Sequence, residues 1–293
     1  YWAGAYLSGD VIVFGSDAGV LTSCNAKTGK VISTFQADGQ IRSSIAYADG
    51  NLYFSTSTGK VYSVPIGADG VLDGGSAKSG QVDGMTKSTS TPVVFNGRLY
   101  IGGGSSSFSS GVVAVMDAAT MSTVYSANVQ GYVQSSALLS TGYAADGGKV
   151  YAYFTYNYNP GGILVLEDAA GQTEAKVSNL FVPEGPLAQY CLCSPICDSD
   201  GCTTTMTRAT SWQLAGRLAV SPTILMAVRT PRPILPPISR GRRLLSPPPP
   251  RAATPSPDGI SMKGSPRRST LSVPDRWAMW SCGRSGKRTP LRC

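Results

Sequence analysis

The side chains able to do chemistry are few in this chain, and the first gap is histidine: the 293 residues contain none. That removes the commonest general base, the usual imidazole metal ligand and every Ser-His or Cys-His pair. Cysteine is the next candidate. Cys191, Cys193, Cys197 and Cys202 fall close together, as thiolate ligands of a metal could. They lack the paired Cys-x-x-Cys knuckles of such sites, and Cys193 sits where Ser43, Ser90 and Ser135 sit in the repeats described below; small buried strand residues are the better reading. Asp198-Ser199-Asp200-Gly201 and the run from Asp69-Gly70 to Asp73-Gly74-Gly75 resemble pieces of a calcium loop, without the later Glu that completes one, and read as turns. Gly102-Gly103-Gly104 followed by Ser105 to Ser110 ends in no Gly-Lys-Ser/Thr and opens no helix, so it reads as a flexible inter-strand loop rather than a phosphate cradle. A phosphate-loop flavour also attaches to Gly283-Arg284-Ser285-Gly286-Lys287-Arg288, and the cations at Arg240, Arg242, Arg243, Arg267 and Arg268 could attract nucleic acid or anionic lipid. These stretches lack the interleaved aromatics of a single-strand binder, and we expect no nucleic-acid partner.

The elements that would position any site are strands. From Gly9 to Phe35 a β-branched and aromatic run (Val11 to Phe14) is followed by a Ser16-Asp17-Ala18-Gly19 turn. A second run (Val20 to Cys24), the turn Asn25-Ala26-Lys27-Thr28-Gly29 and a third run follow. Three strands joined by two turns make one antiparallel unit. The unit recurs at Gly50-Asn51-Leu52-Tyr53-Phe54, Gly97-Arg98-Leu99-Tyr100-Ile101 and Gly148-Lys149-Val150-Tyr151, each a turn glycine followed by a β-rich run. This spacing is near the roughly 40 to 50 residues of a propeller blade. Upstream of the later markers stand Ile41 to Ile45, Ser90 to Val94, Val133 to Ala137 and Cys193 to Ile196, with small hydroxyl residues at matching places, as inner strands crowding towards an axis require. Downstream stand Val61 to Val64, Val112 to Met116 and Ile163 to Leu166 as third strands. A sheet this small cannot bury its own faces and must stack on copies of itself. A β-sandwich is the alternative, disfavoured because sandwiches rarely repeat a whole strand-turn-strand unit in register. The fold class is therefore all-β: a partial propeller of about four to five antiparallel blades, with a disordered or irregular C-terminal tail.

Composition divides the chain near Gly201. Residues 1–200 carry 9 Lys/Arg and 15 Asp/Glu, a net charge of −6, while residues 201–293 carry 16 and 2, a net charge of +14. All 14 Tyr and all 7 Phe precede residue 201, whereas 14 of the 20 Pro follow it. The basic character of the whole chain thus belongs to the tail alone. We expect residues 1–201 to hold the repeats and 202–293 to be a basic Pro/Arg-rich segment in which the blade strands cease. Re-reading the codons of Cys202 to Leu214 from their third bases is compatible with the missing strand-Asp-Ser-Gly-strand unit, so we expect a frameshift there; a genuine disordered tail is the other reading. Tyr1 in place of an initiator Met points to a fragment or mature form. No apolar run is long enough to cross a bilayer as a helix.

Asn25-Ala26-Lys27-Thr28-Gly29-Lys30-Val31 and Asp117-Ala118-Ala119-Thr120 resemble the Ala-x-Asp-x-x-Thr-Gly-Lys signature of PQQ-like (pyrroloquinoline-quinone-like) propeller repeats over residues 1 to about 201. Asn25, Thr28, Gly29, Asp117 and Thr120 form its turn: Asn or Asp caps the backbone, Thr adds a hydroxyl bond and Gly takes positive φ. The chain departs from the signature where Asn25 replaces Asp, Met121 stands where Gly is usual, and Ser33 and Tyr125 stand where Trp normally follows. The resemblance implies three classes. Quinoprotein dehydrogenases hold the quinone and calcium on the axis beside a vicinal Cys-Cys disulfide and an Asp base, and this chain has no adjacent cysteines. Outer-membrane assembly factors of this repeat type are non-catalytic and present loops to partner proteins. Other secreted or surface propellers serve as binding scaffolds. The resemblance thus implies an exported protein of the periplasm or cell surface acting by binding, with no catalytic, cofactor or metal residues; PQQ and calcium enter only under the alternative of a dehydrogenase fragment. The expected contact loops are Ser105 to Ser110 and Tyr153 to Asn159, with Ser105, Phe108, Tyr156 and Tyr158 as contact residues for a protein or surface ligand, although a strand face explains those aromatics almost as well.

Overall fold

The computed structural model describes residues 3–145 and 148–197, and the backbone of 201–205, 211–215 and 227–228. These belong to a unit spanning Tyr1–Pro236, and the second unit, Pro237–Cys293, lies outside the described residues. The described residues fold into five four-stranded antiparallel sheets, each built from four consecutive strands. Sheet one holds β1 (Tyr6–Ser8), β2 (Val11–Gly15), β3 (Val20–Asn25) and β4 (Val31–Gln36); sheet two holds β5 (Ala46–Ala48), β6 (Asn51–Ser55), β7 (Lys60–Pro65) and β8 (Lys78–Gln81). Sheet three holds β9 (Val93–Phe95), β10 (Arg98–Gly104), β11 (Ser110–Asp117) and β12 (Thr123–Gln130); sheet four holds β13 (Leu138–Ser140), β14 (Lys149–Tyr156), β15 (Gly162–Ala169) and β16 (Lys176–Phe181). Sheet five pairs β17 (Ile196–Cys197) with β18 (Gly201–Thr205), β19 (Ser211–Ala215) and β20 (Ala227–Val228). Backbone pairing therefore continues past Gly201, where the sequence signal for strands lapses. The expected frameshift and the arginine-rich segments fall on residues whose side chains lie outside the description.

Turn chemistry explains the hairpins. The turns opening the second strand place Asp49 and Gly50 at φ 48° and 80°, and Asn96 and Gly97 at 49° and 72°. Two consecutive positive-φ residues make the turn whose twist matches that of the flanking strands, and Asp-Gly and Asn-Gly tolerate it best. Burial then follows from stacking. Leu52 to Ser55 on β6 and Leu99 to Gly104 on β10 are buried without interruption, so both faces are covered; on β2 the pattern alternates, with Val13 and Gly15 buried and Ile12 and Phe14 half-buried. Between sheets one and two lie Val13, Leu21, Leu52 and Phe54; between two and three lie Val61, Met85, Leu99 and Met116; between three and four lie Tyr100, Val113, Phe154 and Leu166. Each such side chain contributes roughly 1.5–3 kcal/mol by leaving water.

The stretches leading into the first strands of successive sheets are tied to one another. The Gly4 amide donates to Ser44 Oγ (2.9 Å), the Ser44 amide to Thr91 Oγ1 (3.0 Å), the Thr91 amide to Ser136 Oγ (3.3 Å) and the Ser136 amide to Ser194 Oγ (2.9 Å). One hydroxyl per sheet thus fixes the next sheet's height. The neighbouring Ser43 replaces a ladder pair: its Oγ donates to the Ser55 carbonyl (3.2 Å) and accepts from the Ser55 amide (2.9 Å). Ser135 does the same with Thr155. This corrects the expected inner strands. The hydroxyl-rich stretches bond through side chains, and regular pairing starts later, at Ala46, Val93 and Leu138. Side-chain hydroxyls compete with ladder partners in just this way.

Candidate functional site

Position 42 and its equivalents, one residue before each buried serine, alternate to the opposite side of the chain. Arg42, Thr89 and Gln134 are half-buried beside buried Ser43, Ser90 and Ser135. With Lys87, Tyr132 and Phe108 they line a recess of about 320 Å³ at the central end of sheets two to four. The backbone fixes the members. Lys87 bridges Gly104, exchanging hydrogen bonds of 3.0 and 3.1 Å, which sets it against the Ser105 to Ser110 loop. Tyr132 bridges Asn157, whose amide donates to the Tyr132 carbonyl (2.7 Å).

That loop is knitted rather than slack. Ser105 Oγ accepts from the amides of Ser109 and Ser110 (3.2 Å each), the Phe108 amide donates to the Ser105 carbonyl (3.0 Å), and the Ser106 amide donates to Thr86 Oγ1 (3.1 Å). Phe108 is held at φ 62°, a left-handed conformation that costs an aromatic residue roughly 1–3 kcal/mol and persists only when its surroundings over-determine it. Its ring is 45% exposed, stands edge-on to Tyr132 (centroids 5.0 Å apart, planes at 82°) and lies beneath Lys87 Nζ at 4.3 Å. Such a cation over a ring face is favourable by about 0.5–2 kcal/mol.

The charges differ in availability. Arg42 is gripped by Asp17, Nε to Oδ1 at 2.9 Å and a terminal nitrogen to Oδ2 at 3.0 Å, and that hydrogen bonding holds the Asp17 carboxyl below its usual range and raises Arg42. Gln134 Nε2 donates to the Leu192 carbonyl (3.0 Å), and the Tyr132 hydroxyl shares a 3.4 Å contact with Thr89 Oγ1. Burial pushes the Tyr132 phenol up. The recess therefore presents hydrogen-bond donors and two rings around the ammonium of Lys87.

Other expected residues fall elsewhere. Asn25 Oδ1 accepts from the Lys27 and Thr28 amides (3.1 and 2.9 Å) and Thr28 Oγ1 (3.1 Å), with Gly29 at φ 71°. Asp117 Oδ1 accepts from the Ala119 and Thr120 amides (3.0 and 2.7 Å) and Thr120 Oγ1 (2.8 Å), at the outer turn of sheet three. Met121 takes φ 62° there and is buried with Val82, Met85 and Met116, packing that offsets its strain. Tyr156 is a correction: it ends β14 and is 1% exposed, packed with Phe154 and Leu164, so it belongs to the core and not to a contact loop. Tyr158 stays 37% exposed. Of the clustered cysteines whose side chains are described, Cys191 is buried while Cys193 and Cys197 are exposed, so among these the expected burial holds for Cys191 alone. The Cys193 carbonyl accepts from Thr155 Oγ1 as the Ser90 carbonyl accepts from Ser55 Oγ, which supports the repeat alignment.

A second polar cluster, unforeseen from the sequence, joins sheets three and four. Asp168, 1% exposed, receives Arg98 (2.9 Å), the Tyr100 hydroxyl (2.8 Å) and the Tyr125 hydroxyl (2.5 Å), and Arg98 also donates to the Gln172 carbonyl (3.0 Å). Every member is partnered, and both phenols are pushed far above their ordinary value, first by burial and then by the Asp168 bond. This is a structural joint between blades.

No family model and no curated protein sequence matches the chain. Solved structures do. The quinohemoprotein alcohol dehydrogenase of Comamonas testosteroni aligns with a TM-score of 0.54 at 11% identity, over 73% of this chain and 41% of that one. BamB of Moraxella catarrhalis aligns at 0.47 and 13% identity, over 73% and 61%; the Pseudomonas putida HK5 quinohemoprotein alcohol dehydrogenase ADHIIG aligns at 0.49 and 12%, over 73% and 40%. The chain spans less than two thirds of the length of each. Sheet topology and the Comamonas testosteroni likeness show the fold: an all-β partial propeller of four-stranded antiparallel blades. Among the described residues no helix is long and apolar enough to cross a membrane.

Proposed function

We propose that this chain is a non-catalytic binding module of an exported bacterial envelope or surface protein, and that the central recess is its contact site. The observation that carries the reading is Phe108, an exposed aromatic ring held in a strained backbone by five loop serines, against Tyr132 and Lys87. Rigid aromatics beside a cation are typical anchors of protein interfaces. Capture from envelope extracts tests it. Wild-type chain should retain a defined set of proteins that Phe108→Ala releases, and equal capture by the two would overturn the role of the recess.

The second reading, a fragment of a quinone-dependent dehydrogenase, draws on the Comamonas testosteroni likeness. The lining residues do not fit a quinone and calcium pair. None of the six is a carboxylate, and the nearby Asp17 carboxylate is occupied by Arg42. Among the described residues no three His, Cys, Asp or Glu gather into a cation site. Adding quinone and calcium to the intact protein and following dye-linked alcohol oxidation should give no turnover; turnover would favour the dehydrogenase.

A further inference from the structure

We infer that the recess captures a single carboxylate carried on an apolar or aromatic group, as presented by the C-terminal residue of a polypeptide; the assignment rests on the binding role proposed above. The charge count selects one carboxylate. Arg42 is matched by Asp17 and brings no net charge, so Lys87 supplies the single positive charge of the lining. Residues 1–200 carry a net −6, and this cation is placed inside a cleft rather than on an open strand face. A phosphate, with more charge and three acceptor oxygens to satisfy, fits that donor set less well than a carboxylate. Thr89 and Gln134 stand beside Lys87 to complete the polar half.

The apolar half is the perpendicular pair Phe108 and Tyr132, a wall against which a further ring or aliphatic side chain packs. At about 320 Å³ the recess lies at the small end of ligand sites, roughly 300–1,000 Å³, room for a terminal residue rather than an extended segment. Capture of a chain's terminal carboxylate is an established peptide-recognition mode, and here the loop that bears Phe108 is already ordered by its own serines, so little ordering entropy opposes binding.

Calorimetric titration of the full chain with acetyl-Gly-Gly-Phe as free acid, with the same peptide as its C-terminal amide, and with 3-phenylpropionate tests this. The peptide acid should bind at least about tenfold more tightly than the amide, and more tightly than 3-phenylpropionate. Lys87→Gln should weaken the peptide acid at least about tenfold and Lys87→Arg by only a few-fold, with both variants keeping the wild-type circular dichroism spectrum. Equal affinity for acid and amide, or undiminished binding by Lys87→Gln, would overturn the assignment; binding of 3-phenylpropionate as tightly as the peptide would overturn the polypeptide source. Envelope capture that survives in Lys87→Gln without any preference for the acid leaves the binding role intact and removes only this inference. Preference for the acid without envelope capture does the reverse.

Discussion

At the scale of single residues, the structure separates side chains that line the open recess from those that lock one blade to the next. Asp168 is of the second kind, being buried and met by Arg98, Tyr100 and Tyr125. Asp168→Asn removes the charge and leaves an 18% exposed guanidinium without its counter-ion. Breaking a buried pair from one side costs about 3–5 kcal/mol, and the partial exposure of Arg98 places this case near about 3. Urea unfolding should show that loss, and Arg98→Met with Asp168→Asn should recover part of it. The phenols make a pH prediction. Folded-state values raised above 10.0 mean that the stability held by Tyr100 and Tyr125 is complete below that pH. It falls as the pH climbs above 10.0, where the unfolded chain ionises first. The urea midpoint should drop in that range, and Tyr100→Phe with Tyr125→Phe should flatten the drop. None of this was legible in the sequence, because Arg98 and Asp168 are 70 residues apart and only the stacking of two blades joins them.

At the scale of elements, what was legible is what local chemistry dictates. Asn25 and Asp117 read as turn caps because their side chains reach amides two and three residues on, which needs no knowledge of the fold. Tyr156 misread because the run Tyr153 to Asn159 carries the same aromatic residues whether it ends a buried strand or tips a loop; β14 continues through Tyr156, into the stretch the pattern assigns to the loop. The recess residues Arg42, Thr89 and Gln134 were within reach. Aligning the repeats on Ser43, Ser90 and Ser135 exposes the variable residue just before each, the one that faces away from the buried side. The joint between β10 and the stretch leading into β13 also depends on size. A Cβ on Gly102 would meet Val133 Cγ1 at 2.4 Å and the Val133 carbonyl oxygen at 2.9 Å. Gly102→Ala should therefore cost about 1–3 kcal/mol of urea stability. Adding Val133→Ala relieves the methyl contact while leaving the carbonyl one, so recovery should be partial.

At the scale of the whole molecule, successive sheets share their cores pairwise and meet through rows of hydroxyl hydrogen bonds. The blade-two insertion from Ile66 to Ala77 reaches back across sheet one, where the Leu72 amide donates to Ser33 Oγ (3.2 Å) and Gly70 sits against Val11 and Ile32. Each sheet of the frame thus packs on its neighbours, and the recess is lined from sheets two, three and four. The central claim is that partners meet this frame at Phe108 and not elsewhere on its rim. Site-specific photocrosslinking in envelope extracts tests it directly, with benzoylphenylalanine at Phe108 in one preparation and at Val31, an exposed residue of the outer strand β4, in another. The account predicts a discrete crosslinked partner from position 108 and none from position 31; crosslinks from position 31 alone would contradict it.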